Sequence, residues 1–360
     1  MTRNRTLCFV SLIIIASNIF FGCATPPPVS TDQYVWPPPP EQARIIWRGA
    51  YTSQLDLPTT AFRKIKELLA GEDTPISLRK PVDVTSDVAR NKFYVADLAV
   101  GGIFVFDFNE PELRLFVLPE GPFSPIGLAI DASGVLYALD PKQNKIHLFD
   151  PSEKFIRTIA LGSICKRPTA LAVNRSGSRI YIADTSPGRL VAIDNNGNRL
   201  FSTSETSVKQ ESLNRPSSIA INSKEEIIIA DAFNARCYIY NKEGTPLESF
   251  GTRGDGAADF QLIKAVAVDS DDNLHFVDGR ANAIKIFNRS GSFLYSLGGY
   301  RSVRSSGKIA PGGFVLPTAI SIGIDDRIYI VDQLNQQIQV FQYISESSRT
   351  ASPQATNSAK

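Results

Sequence analysis

The chain has 360 residues, 43% hydrophobic and 21% charged, an ordinary balance for a protein with a buried core. Arg3 and Arg5 supply the whole net charge of +2, so the remainder carries 36 basic and 36 acidic residues. Such a balanced chain has no global positive field for recruiting nucleic acid or anionic lipid non-specifically, and a nucleic-acid partner is not expected. Its cysteines, Cys8, Cys23, Cys165 and Cys237, form no CxxC pair, which excludes a zinc finger or a haem-attachment site on spacing.

In chain order, Arg3 and Arg5 precede an almost continuously apolar run from Leu7 to Phe21. The run is too short for a comfortable membrane-spanning helix of roughly 20 residues. It ends at Phe20-Phe21-Gly22-Cys23, followed by Ala24. This arrangement resembles a bacterial lipoprotein signal, with Phe20 where such signals usually carry Leu. The resemblance implies that residues 1–22 are removed and that Cys23 is multiply acylated, which meets the need for more than one chain in a stable anchor. Ala24, in place of Asp, implies sorting to the outer membrane of the cell envelope. Residues 24–44 hold seven prolines, so 23–44 is expected to be a semi-rigid tether.

Ala43 to Thr52 (ARIIWRGAYT) reads as an orphan strand. Residues 60–70 read as a helix, capped by Thr60, ended by Gly71, with Phe62, Ile65, Leu68 and Leu69 on one face. Six repeats follow, anchored on Asp97, Asp140, Asp184, Asp231, Asp278 and Asp332, with spacings of 43, 44, 47, 47 and 54 residues. Those spacings suit four-stranded propeller blades. Six residues after each Asp stands Ile103, Ile146, Leu190, Cys237, Ile284 or Ile338, and nine after it an aromatic or Ile193. Before each Asp, an alternating strand opens at Pro81, Pro125, Pro168, Pro216, Ile263 or Pro317. Its recurrent small residues (Ala129, Ala172, Ala220, Ala267, Ser321) suit an innermost strand crowded around an axis. The last blade lacks a fourth strand, which the N-terminal strand is expected to supply, removing an exposed edge. Residues 345–360, rich in Ser, Thr, Ala and Gln, are expected to be a disordered tail.

The segment Ile229-Ala230-Asp231-Ala232-Phe233-Asn234-Ala235-Arg236, continued by Cys237 to Tyr240, is similar to the NHL repeat. The resemblance covers about residues 81–344 and implies an all-β, six-bladed propeller of TolB-like architecture, spanning 45–344 with the N-terminal strand.

An aspartate repeated in every blade is expected to cap the turn after it by accepting backbone N–H bonds, not to bind metal. Six-bladed hydrolases of the gluconolactonase type hold calcium at the axis, but the residues inside the strand entrances are Val82, Ile126, Thr169, Ser217, Lys264 and Thr318, with Asp83 the one acid nearby. Zinc-using propeller lyases need several histidines, and this chain has His147 and His275, both at strand positions. No catalytic residue, metal or cofactor is assigned. The lengthening loops before blades 4 to 6 carry Arg253, Phe260, Tyr300, Arg301, Arg304, Lys308 and Phe314, a basic surface with aromatic groups that suits an acidic protein or glycan partner. The expected role is an envelope binding or scaffold protein, with a calcium-dependent hydrolase or a lyase as the alternative.

Overall fold

The computed structural model describes residues 34–59, 75–118, 121–203, 213–301 and 310–351. The signal segment, Cys23, the helix expected at 60–70, Arg304 and Lys308 lie outside them.

Six antiparallel sheets form six blades. Blade 4 is representative: Pro216–Ile221 is innermost, followed outward by Ile227–Asp231, Arg236–Tyr240 and Pro246–Phe250. The other inner strands are Pro81–Asp87, Gly127–Ile130, Pro168–Val173, Ile263–Val268 and Pro317–Ile322. Each packs beside the next, and the sixth beside the first, so the ring closes. Where the inner strand opens, its register slips by one residue in five blades, as between Pro216 and Ser218. Proline fits there because the ladder needs no N–H from it.

The core is partitioned between blades. Each interface holds its own buried cluster, such as Val277 and Ile284 of blade 5 against Ile328, Ile330 and Phe341 of blade 6. Cys237 belongs to one of these clusters and Cys165 to another; both thiols are free, and burial raises the pKa of each. The hairpins ending at Gly197, Gly244 and Gly291 place these glycines at φ of +88°, +85° and +82°, as their sequence requires.

Closure follows the sequence-based expectation. Ile45–Tyr51 pairs antiparallel with Gln337–Tyr343, from Ile45 opposite Tyr343 to Tyr51 opposite Ile338, and becomes the fourth strand of blade 6. Two expected boundaries shift. Val35–Trp36, inside the expected tether, pairs with Ile45 and Ile46 as a fifth strand, because Trp36 packs edge-on against Phe341 at 5.6 Å. The expected disordered tail begins instead with a short helix, Glu346–Ala351, where Ser345 accepts from the Ser348 N–H and Asp271 from the Glu346 N–H.

Candidate functional site

The inner strand starts, and the second strand ends, on the same face of the ring, called here the upper face. There the six repeat aspartates are fully buried. Five of them cap the following turn as expected, as where Asp97 Oδ1 accepts from the N–H groups of Ala99 (2.9 Å) and Val100 (3.4 Å), and Asp140 Oδ1 from Lys142 (2.9 Å) and Gln143 (3.1 Å), while Asp332 is met there by the side-chain amides of Asn335 and Gln337. They also bind the segment leading into the inner strand. Asp97 Oδ2 accepts from Arg79 (2.7 Å) and Lys80 (2.9 Å) N–H; Asp184 accepts from Lys166 (3.1 Å) and Arg167 (2.7 Å). Asp231 accepts from Asn214 and Arg215, and Asp278 from Gln261 and Leu262. Each carboxylate therefore ties together two loops some seventeen residues apart in sequence, and turn chemistry alone reveals only one of them.

The latched residues carry most of the charge on this face. Arg79, Lys80, Lys142, Lys166, Arg167, Arg215 and Arg280 each give a backbone N–H to a repeat aspartate while their side chains stand in solvent. Arg253 and Arg301 are exposed on the same face. Arg253 donates to the carbonyls of Phe233 (2.9 Å) and Gln261 (3.2 Å), and Arg215 lies over the Phe233 ring at 5.0 Å. None of these nine cations has a carboxylate partner among the described residues. On the opposite, lower face several cations are paired, Arg90 with Asp87 (2.9 Å), Arg114 with Glu153 (2.8 Å), Arg289 with Glu226 (2.6 Å) and Glu248 (2.7 Å), and Arg327 with Asp325 (3.0 Å), while Arg175 and Lys224 are exposed and in no ion pair among the described residues.

Of the surface expected from the loops, Arg253, Tyr300 (64% exposed) and Arg301 lie on the upper face. Phe260 and Phe314 do not; both are fully buried. The Phe260 N–H bonds Thr252 O (2.8 Å), which folds the loop back and puts the ring against Phe276 (5.2 Å) and Phe287 (5.3 Å). Phe314 sits in a short parallel pair, Gly313–Phe314 with Gly299–Tyr300, and faces Phe341 while Tyr300 faces out. Gly251 and Gly298, at φ of +104° and +92°, leave the room; a Cβ on either would strike the phenylalanine. A sequence signal for this existed. Leu78, Cys165, Leu213, Phe260 and Phe314 all stand three residues before an inner strand, and all are buried plugs.

The axis is an open channel of about 810 Å³ lined by the six inner strands. Its upper mouth carries Lys264 with Thr169, Ser217 and Thr318; no carboxylate converges there, so these residues do not fit a calcium ion. No three His, Cys, Asp or Glu side chains gather as a metal-holding group among the described residues. Deeper in the wall, Asp83 Oδ2 accepts from Leu128 N–H at 2.7 Å, and burial raises its pKa to about 7. Both histidines are buried strand residues, as expected. His275 Nε2 meets Asp269 Oδ2 at 2.8 Å, and His147 Nδ1 meets Thr158 Oγ1 at 3.2 Å, with burial lowering the His147 pKa.

No family model matches the chain. Over 143 residues, 38% of the chain, it is 25% identical to Protein brain tumor of Drosophila melanogaster; the matched stretch spans 13% of that protein. Among solved structures it is similar to virginiamycin B lyase from Staphylococcus aureus, with a TM-score of 0.54, 15% identity, and coverage of 74% of this chain and 95% of that one. It is also similar to a structural-genomics protein of unknown function from Bacteroides thetaiotaomicron, with a TM-score of 0.59, 13% identity, and coverage of 74% and 70%. At these identities the structural likeness is one of fold, a six-bladed propeller, with NHL-like repeats supported by the partial sequence match.

Proposed function

We propose that this chain is a lipid-anchored binding protein of the bacterial cell envelope that offers its upper face to an acidic protein partner. One observation supports the reading: nine exposed cations without carboxylate partners among the described residues, seven of them on backbone fixed by buried carboxylates. A cation held on rigid backbone loses less freedom on binding than one on a mobile loop. Phe233 (54% exposed), Leu334 (47%) and Tyr300 stand among Arg215, Arg253, Arg280 and Arg301, which favours a protein with apolar side chains over a plain polyanion. The balanced net charge argues the same way, since the attraction is local to one face. The hydrolase or lyase alternative draws no support from the residues at the channel mouth.

Cross-linking in cells followed by mass spectrometry tests the face. Lys166→Glu, Arg167→Glu, Arg215→Glu and Arg301→Glu together are expected to remove the specific partner. The control pair Arg175→Glu and Lys224→Glu on the lower face leaves it in place. Against the purified partner, the four reversals are expected to weaken binding by about 100-fold at low salt, and less at high salt. An unchanged partner list in the fourfold variant refutes the assignment of this face. The anchor is tested separately: Cys23→Ser is expected to move the protein from the membrane to the soluble fraction, and a variant that stays membrane-bound removes the lipidation reading.

A further inference from the structure

The repeat supplies an internal control for each position of the inner strand. Where blade 1 has Asp83, the other blades have Gly127, Ala170, Ser218, Ala265 and Ala319. The fold therefore needs no charge at this level of the channel. Nor does the bond to the neighbouring blade require one, since Ser218 Oγ accepts from Val266 N–H (3.2 Å) just as Asp83 accepts from Leu128. No cation stands within ion-pair distance of Asp83 among the described residues, and Lys264, the cation at this end of the wall, belongs to a blade two places round the ring. A half-buried carboxylate without a counter-charge is destabilising, so its presence calls for a ligand that brings the charge.

The rest of the channel narrows the chemistry. Gly127, Ala129, Ala172, Ala220 and Ala267, interleaved with Thr85, Ser218 and Ser321, make the wall small-sided and of mixed polarity, with room for a slender aliphatic stem. The inner strands are the edge strands of their sheets, and their outward carbonyls offer acceptors to an ammonium group. A hard divalent cation would want six or more oxygens with several carboxylates, which this level lacks. At the lower mouth Asp87 is paired with Arg90, Glu225 with Lys242 and Asp269 with His275, which leaves Asp131, Asp272 and Asp326 facing Arg175, whereas the upper mouth has Lys264 and the cationic rim. A cation is thus steered in from below and repelled from above.

We propose that the channel binds a short aliphatic diamine, one ammonium on Asp83 and the other toward the acidic lower mouth. This site is independent of the partner reading for the upper face. Because burial holds the Asp83 pKa near 7, while both amines of such a ligand stay charged, affinity rises as the carboxyl ionises.

Titration calorimetry with 1,4-diaminobutane is the test, with 1,4-butanediol as the uncharged control. The intact protein is expected to bind the diamine saturably at pH 8 and about tenfold more weakly at pH 6, where the carboxyl is mostly protonated, and to ignore the diol. Asp83→Ser, which installs the blade 4 residue, is expected to fold with an unlowered Tm at pH 8 and to lose the binding; Asp83→Asn is expected to do the same. The proposal is overturned by absence of saturable binding at pH 8, by equal binding to Asp83→Ser, or by binding of calcium in place of the diamine. It is equally overturned if both variants fail to fold, since Asp83 would then be structural.

Discussion

Asp231→Ala is expected to lower the free energy of unfolding by about 3–5 kcal/mol at pH 7, measured by urea denaturation. The carboxylate is fully buried and accepts from the N–H groups of Asn214 (2.6 Å), Arg215 (3.0 Å), Phe233 (3.1 Å) and Asn234 (3.1 Å), and from Asn234 Nδ2 (3.2 Å). Alanine leaves four backbone donors in two loops without their acceptor and opens a gap that the loops cannot both fill. Asp231→Asn keeps one acceptor oxygen but sets an amide donor against N–H groups, so a loss of about 2–3 kcal/mol is expected. The same change at Asp332 should cost less, because its Oδ2 is met by the side-chain amides of Asn335 (2.7 Å), Gln337 (2.7 Å) and Gln339 (3.4 Å), which can rotate to suit a new partner. A loss below about 1 kcal/mol in Asp231→Ala would show that the latch is not what holds the loops.

A chain that begins after Tyr51 is expected to lose its cooperative unfolding transition altogether. Without Ile45–Tyr51, the strand Gln337–Tyr343 becomes an edge, and Ile338, Phe341 and Tyr343 lose the cover that keeps them buried. Blade 6 then offers blade 1 an incomplete face, and the cluster that joins them, with Tyr51 edge-on to Phe93 (5.5 Å) and Phe106 (5.9 Å), is dismantled. Calorimetry and size-exclusion chromatography check this, and adding the peptide 34–59 in trans is expected to restore part of the transition. A truncated chain that melts like the full one would mean that the ring holds without its clasp.

Blade register is legible in the sequence because the residues that set it recur at fixed offsets from an aspartate, six times over. The closing strand is legible for a related reason: blade 6 lacks a fourth strand in the sequence, and Ala43 to Thr52 reads as a strand outside the six repeats. Loop side chains are less legible. Phe260 and Phe314 lie in polar, Gly-rich surroundings like those of Tyr300, and only their place three residues before an inner strand separates plug from surface. The latched cations of the upper face were hidden likewise. Arg79, Lys166 and Arg167 look like ordinary loop residues until their backbone is seen bound to an aspartate seventeen or eighteen residues on. Such a contact has no local signature. Val35–Trp36 escaped because the prolines at 37–40 dominate the composition, while pairing there needs only two residues and one tryptophan.

The clasp also sets an order of events during synthesis. Ile45–Tyr51 leaves the ribosome among the first strands, while its partner Gln337–Tyr343 arrives about 290 residues later, roughly 15–60 s at ordinary elongation rates. Blades 1 to 5 can form as they emerge, each from contiguous chain, but Ile45–Tyr51 must wait for its blade 6 partner until the last blade is complete. The nascent protein is therefore a growing, open fan with a loose apolar end, most exposed to misassembly just before it finishes, and a chaperone that shields this one strand would protect the whole molecule.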